Sequence, residues 1–246
     1  NYGRGGQEGD AILAEGQDWS GRNNANMATP ADGSAATMQM YLFDSPDSGI
    51  TATLPVGGAS AGDYDGTLDP LIIAHENMHY VSNRLVGDGS GLNNNQGGSM
   101  GEGWGDVASL LVAVRAEDRA APGNDRYQGS YSVGVYVDPS FYYSIRRQPY
   151  STDFAKNSFT FRHIADGEAA PEGAPTQGSG TGSSEVHAAG EIWTNMVWEC
   201  WAGILNDERH SYEEARSNFL DYLIAGLKMT PSSPTYTEAR DGILAA

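Results

Sequence analysis

The sequence predicts an α+β protein in which a small strand-and-turn part, residues 1–68, precedes a mainly helical part, residues 69–246, with a chemically active helix at the join. Three observations predict it. Residues 1–68 are rich in Gly, Asn, Asp, Ser and Thr and carry only short apolar pieces, whereas apolar residues recur at helical spacing from Asp69 onward, and no internal repeat marks a solenoid or propeller. With 246 residues, 39% of them apolar and 19% charged, the chain is long enough for one sizeable core and is expected to form a single domain.

The strand candidates of the first part are MQMYLF at 38–43 and ITATLPV at 50–56. Asp69 can then accept the free N–H groups of a helix start, and Pro70 at the first helical position loses no hydrogen bond, so a helix is expected from Pro70 to Leu85, stopping near Gly87. The stretch GDGSGLNNNQGGSM reads as a loop, followed by a second helix over GEGWGDVASLLVAVRAEDR. Residues 120–164 are mixed, with a strand-like YSVGVYV, and 165–184 have the composition of a flexible surface loop. Three helices complete the chain: 186–205; 211–229, opened by the capping box Ser211 and Glu214; and 234–246, opened by Ser233 and Pro234.

Charge narrows the partners. Fourteen basic against 32 acidic residues leave a net −18, a field that repels phosphate backbones and anionic lipid, so neither nucleic acid nor a membrane surface is expected to bind. No apolar run approaches the roughly 20 residues of a spanning helix. The opening NYGRGGQEGD has neither a basic start nor an apolar stretch, so no targeting segment is expected there. A soluble monomer is the expected state. The single cysteine, Cys200 in VWECWAGIL, reads as a small buried hydrophobe.

The chemistry starts in IAHENMHYV, where His75, Glu76 and His79 form H-E-x-x-H. Residues i and i+4 lie on one helix face about a turn apart, so two imidazoles can converge on one zinc ion while the Glu76 carboxylate reaches a water beside it. A hydrolytic zinc site needs a third protein ligand and one open position. Twenty-three residues after His79, Glu102 can supply that ligand, and Asp106, one turn on, can accept the remaining N–H of a ligating histidine. A plan of three histidines fails, because Ser82 and Leu85 stand where it needs Gly and His. His187 follows the loop at a helix start, where it can enter a cleft, with Glu185 or Glu191 to orient it. The acidic cluster Asp63, Asp65 and Asp69 is a weaker candidate for Ca2+, and His163 and His210 are expected to face solvent.

The strings NNANMATPADG, HENMHYVSNRL, GSMGEGWGD, SIRRQPYSTDF and EVHAAGEIW occur in order and together resemble the fungalysin family of secreted metallopeptidases, relatives of thermolysin among the gluzincins. The resemblance runs from about Gly9 to the carboxy end. It implies a thermolysin-like two-lobed fold, a secreted protein, peptide or protein substrates, and a propeptide removed by cleavage. It also implies one Zn2+ held by His75, His79 and Glu102, Glu76 as general base, and His187 as donor to the oxyanion. Arg146, or Arg147 in a shifted register, matches the arginine that holds a substrate carbonyl. Asn24, Ala25 and Asn26 match the edge strand that pairs with substrate backbone, and Ile72 and Ile145 line an apolar pocket for the residue after the scissile bond. The chain departs from the family in carrying Tyr80 where the motif usually ends in glycine, in lacking a clear match to thermolysin's oxyanion tyrosine, and in being short at both ends. The expected activity is peptide-bond hydrolysis by a zinc-activated water. The alternative is a zinc-containing binding or structural domain with reduced or lost peptidase activity.

Overall fold

In the computed structural model, residues 6–44, 62–138, 140–178 and 182–246 are described. Five helices and five short strands appear among them, a mixed α+β arrangement. The strand candidate at 50–56 lies outside the described residues.

The strands are β1 (Leu13–Glu15), β2 (Ala25–Ala28), β3 (Thr37–Met40), β4 (Leu42–Phe43) and β5 (Tyr64–Asp65). β1 runs parallel and β2 antiparallel to the central β3, so β2 is an edge of the sheet. The single expected strand at 38–43 is two: the Tyr41 carbonyl between them accepts from Gly66 N–H, and β4 then pairs with β5.

Helix α1 (Pro70–Leu85) starts as expected. Asp69 is fully buried, and its Oδ1 accepts from Leu71 N–H (2.9 Å) and Ile72 N–H (3.4 Å). Its Oδ2 accepts from Tyr136 N–H (3.0 Å) and Val137 N–H (3.3 Å), which is why YSVGVYV is not a strand: two of its backbone donors are drawn onto the helix cap, and only Tyr131 pairs, in an isolated bridge with Tyr150. Asp69→Ala would strand four backbone donors, three of them buried. At about 1–3 kcal/mol for an unsatisfied buried group, partly relieved by water, a loss of about 3 kcal/mol or more in urea unfolding is expected, with Asp69→Asn intermediate. A loss below about 0.5 kcal/mol, ordinary for a surface site, would contradict the cap's role.

Helix α2 (Asn95–Ala113) begins six residues earlier than the sequence predicts and ends earlier too, residues Ala116–Ala120 forming a separate 3-10 turn. Asn94 caps it through Gly97 N–H. Glycine costs up to about 1 kcal/mol per helical position relative to alanine, which makes NQGGSMGEGWGD read as loop. The return lies in α3 (Val186–Leu205), which starts and stops where expected. A Cβ on Gly103 would stand 2.8 Å from the Gly190 carbonyl oxygen, and one on Gly190 would stand 2.7 Å from the Ser99 carbonyl oxygen. The two helices touch backbone to backbone there, and only glycine permits it.

α4 (Tyr212–Met229) has the expected Ser211/Glu214 capping box. α5 (Tyr236–Ala245) is capped by Thr235 and Glu238 rather than by Ser233 and Pro234, because Ser233 takes a left-handed φ of 55° and donates its N–H to the Gly91 carbonyl. The large core, centred on Trp104, Trp193, Trp198 and Trp201, lies among the helices. A small cluster of Ala25, Met38, Met40, Ile72 and Val137 joins the sheet to α1. α1 is therefore held from both sides, which fixes the direction of its polar face.

Two expectations about single residues fail. Cys200 is exposed on α3, and His163 is buried, its ring set edge-on to Phe159 at 5.6 Å. His210 is exposed as expected.

Candidate metal centre

His75 and His79 project from α1 into a cleft, with their Nε2 atoms 3.0 Å apart. Glu102 on α2 meets both, Oε2 lying 3.2 Å from His75 Nε2 and Oε1 lying 3.6 Å from His79 Nε2. Ligands at about 2.0–2.1 Å from a tetrahedral zinc are separated by about 3.3–3.4 Å, and the two imidazole nitrogens and the two oxygens of the Glu102 carboxylate stand 3.0, 3.2 and 3.6 Å apart, close to that spacing. Two imidazoles and a carboxylate are also the donor set that zinc accepts. Glu76 lies with them: His75, Glu76 and His79 form a close group of potential metal ligands. The residues present fit a zinc ion.

Close packing sets this convergence. Gly105 lies against the His75 ring, and a Cβ there would stand 2.6 Å from Nδ1. The glycines of GEGWGD therefore seat the imidazole against α2 and let α2 approach α3.

Asp106 stands behind His75. Because a carboxylate only accepts, the contact of 2.7 Å between His75 Nδ1 and Asp106 Oδ1 places a proton on Nδ1 and leaves Nε2 as the ring nitrogen that faces Glu102 and His79. Arg146 donates from Nε to Oδ2 (2.6 Å) and from Nη2 to Oδ1 (2.8 Å), and the Tyr150 hydroxyl also donates to Oδ2. Sequence reasoning passed over Tyr150, although it sits within SIRRQPYSTDF; nothing in the order of residues shows that its hydroxyl returns to α2. Burial pushes the Asp106 carboxyl upward, but the Arg146 charge and the hydrogen bonds hold it well below the usual carboxylate range.

The other site groups are shifted in opposite senses. Burial lowers His75, yet its hydrogen bonds to Asp106 and Glu102 outweigh this and raise it to about 9. Burial and the His75 charge lower His79 to about 4. Glu102, which burial would raise, is brought down to about 2 by its contact with His75 and the surrounding histidines. Glu76 is raised to about 7, chiefly by burial, and its Oε2 is buried without a hydrogen-bond partner.

His187 opens α3 and is 54% exposed, with Nε2 lying 3.4 Å from Glu102 Oε2. Of its two candidate partners, Glu185 holds it, Oε1 lying 2.7 Å from Nδ1, while the same carboxylate caps α3. Glu191 does not: it is buried in an ion pair with Arg147 Nε at 2.9 Å and accepts from Arg147 N–H. Arg147 also donates to the Ala188 carbonyl and lies over the Phe159 ring, so of the two arginines it is Arg146 that borders the cleft. The described part of the loop before His187 is anchored rather than free. Gln177 donates to the carbonyls of Ser144 (2.7 Å) and Arg146 (3.0 Å), and Gln148 donates to Thr176 (2.7 Å).

The cleft, about 390 Å³, runs from this centre to the sheet edge, where Asn24, Ala25, Asn26 and Met27 line it. Ile72 and Ile145 form part of its apolar wall. The calcium candidate does not assemble: Asp63 pairs with Arg22 at 2.8 Å, Asp65 accepts from Gln17 and Thr67, and both oxygens of Asp69 are taken by backbone N–H groups.

Comparison with known proteins agrees with the geometry. The family described as Fungalysin metallopeptidase matches residues 1–246. Extracellular metalloproteinase 10 of Coccidioides posadasii is 31% identical over 263 residues, and Extracellular metalloproteinase 3 of Arthroderma otae is 30% identical over 262. Extracellular metalloproteinase 2 of Trichophyton rubrum is 28% identical over 260 residues. Each alignment covers 100% of this chain and 35% of the relative, so the chain spans about a third of the length of these proteins. With a family match over every residue and a metal-binding geometry on the helices that carry the shared motifs, the chain belongs to the fungalysin metallopeptidase family.

Proposed function

We propose that the chain is the catalytic part of a secreted, zinc-dependent endopeptidase that cleaves extended protein substrates, with the thermolysin-like two-lobed arrangement placing the cleft between sheet and helices. The observation that carries this is the convergence of His75, His79 and Glu102 at the spacing of a tetrahedral site, beside a buried Glu76 oxygen that nothing else satisfies. Secretion rests on the relatives, which are named extracellular metalloproteinases. None of the described helices is long and apolar enough to cross a membrane.

When bound, zinc supplies Lewis acidity, activating water and polarising the peptide carbonyl. The chain's own groups do the rest. Glu76 takes the proton from the attacking water and passes it to the leaving amine, a role suited to a carboxylate raised to about 7. His187, oriented by Glu185, donates to the oxygen on which charge develops. Asp106 keeps His75 in the ligating tautomer. Arg146, already holding Asp106 through Nε and Nη2, borders the place where a substrate carbonyl would lie. The outer edge of β2, with Ala25, Asn26 and the preceding Asn24, pairs with an extended backbone, and Ile72 with Ile145 favours a bulky apolar residue after the scissile bond.

Metal analysis tests the core of this reading. One zinc per chain is expected in the purified protein and far less in Glu102→Ala; a wild-type chain that takes up no zinc would remove the proposal. His187→Ala should retain zinc while kcat falls about 10²–10³-fold, the usual cost of one oxyanion donor. Unchanged kcat in that variant would take His187 out of the mechanism.

A further inference from the structure

Of the four hydrogen bonds converging on Asp106, one is used to orient His75, two come from Arg146 at the cleft, and the fourth, from Tyr150, has no part in the mechanism so far. Tyr150 is fully buried. Its backbone exchanges two hydrogen bonds with Tyr131 (3.0 and 2.7 Å), the next residue, Ser151, donates its N–H to Asn195 of α3, and the carbonyl of Pro149 before it accepts from Asn157. The backbone on both sides of Tyr150 is held, and the ring is packed in the core, so the direction of its O–H is set by its surroundings.

That direction matters because the terminal torsion of an aspartate is soft. Arg146 donates to both oxygens, and His75 Nδ1 meets Oδ1. A second donor on Oδ2, the Tyr150 hydroxyl, makes turning the carboxylate cost a further hydrogen bond and so keeps Oδ1 aimed at His75 Nδ1. We propose that Tyr150 is a positioning residue for the metal ligand His75, acting through Asp106. It links the ligand on α1 to the 131/150 bridge and to α3. Groups that hold the partner of a ligating histidine typically contribute about 10–100-fold to metal affinity or activity. As a more distant link Tyr150 is expected at the low end.

The inference rests on the zinc reading above, and the test separates the two. Zinc affinity of the whole chain is measured by competition with a chromophoric chelator at a temperature where each apo protein is folded, for wild type, Tyr150→Phe and Tyr131→Phe. Tyr131 shares the backbone bridge, but its hydroxyl meets Asn124 rather than the site. Tyr150→Phe, which keeps the ring, should weaken zinc about tenfold and shift the visible spectrum of the cobalt-substituted protein. Tyr131→Phe should lower the melting temperature and leave the zinc Kd within twofold. A zinc Kd in Tyr150→Phe within twofold of wild type, or one that tightens, or a loss matched by Tyr131→Phe, overturns the positioning role. If wild type itself binds no zinc, the underlying reading fails instead.

Discussion

Glu76→Gln is expected to bind zinc as wild type does and to lose about 10²–10⁴-fold in kcat, the range supplied by a positioned general base. The substitution keeps the shape but removes the charge and the ability to take a proton. Glu76 is buried, is raised to about 7, and has one oxygen with no hydrogen-bond partner, so nothing structural in the surroundings needs its charge. Stability should therefore hold or rise slightly. Steady-state kinetics on a peptide, with metal content measured on the same preparation, checks both halves. Near-normal turnover would remove Glu76 as the base, and a loss of zinc would make it a ligand instead.

Asp106→Ala should do the opposite kind of damage, removing stability and metal affinity together. The Arg146 guanidinium would be left buried without its counter-charge, and breaking a buried pair in this way costs about 3–5 kcal/mol. His75 would lose the acceptor that fixes its tautomer, at about 10–100-fold in zinc affinity. Denaturant unfolding of the apo protein and zinc competition measure the two effects separately. A variant as stable as wild type would show that Arg146 finds another partner and would place Asp106 outside the framework described here.

The candidate site was legible where helical spacing and the ligand count of a zinc site constrain it. An i, i+4 pair of histidines must share a face, and Asp69 before Pro70 gives the helix its start, so His75, Glu76, His79, Glu102 and Asp106 could all be named from order and spacing. Tertiary contacts were not legible. Glu185 and Glu191 are equally plausible partners of His187 in sequence, and only the fold shows that Arg147 occupies Glu191. NQGGSM looked like loop because propensity counts what glycine costs and cannot see the α2–α3 contact that requires it. YSVGVYV had a strand's composition, but Asp69 claims its backbone donors. Tyr150 was invisible for the same reason: its partner is 44 residues away.

The central claim is turnover by a zinc-dependent cleft, and hydrolysis of casein by the purified chain tests it most directly. The assay is run as purified, after chelation, and after zinc is returned. Cleavage that disappears with the chelator and returns with zinc is the predicted result. A chain that carries one zinc and cleaves nothing under any of the three conditions would contradict the account and make this a metal-holding binding domain.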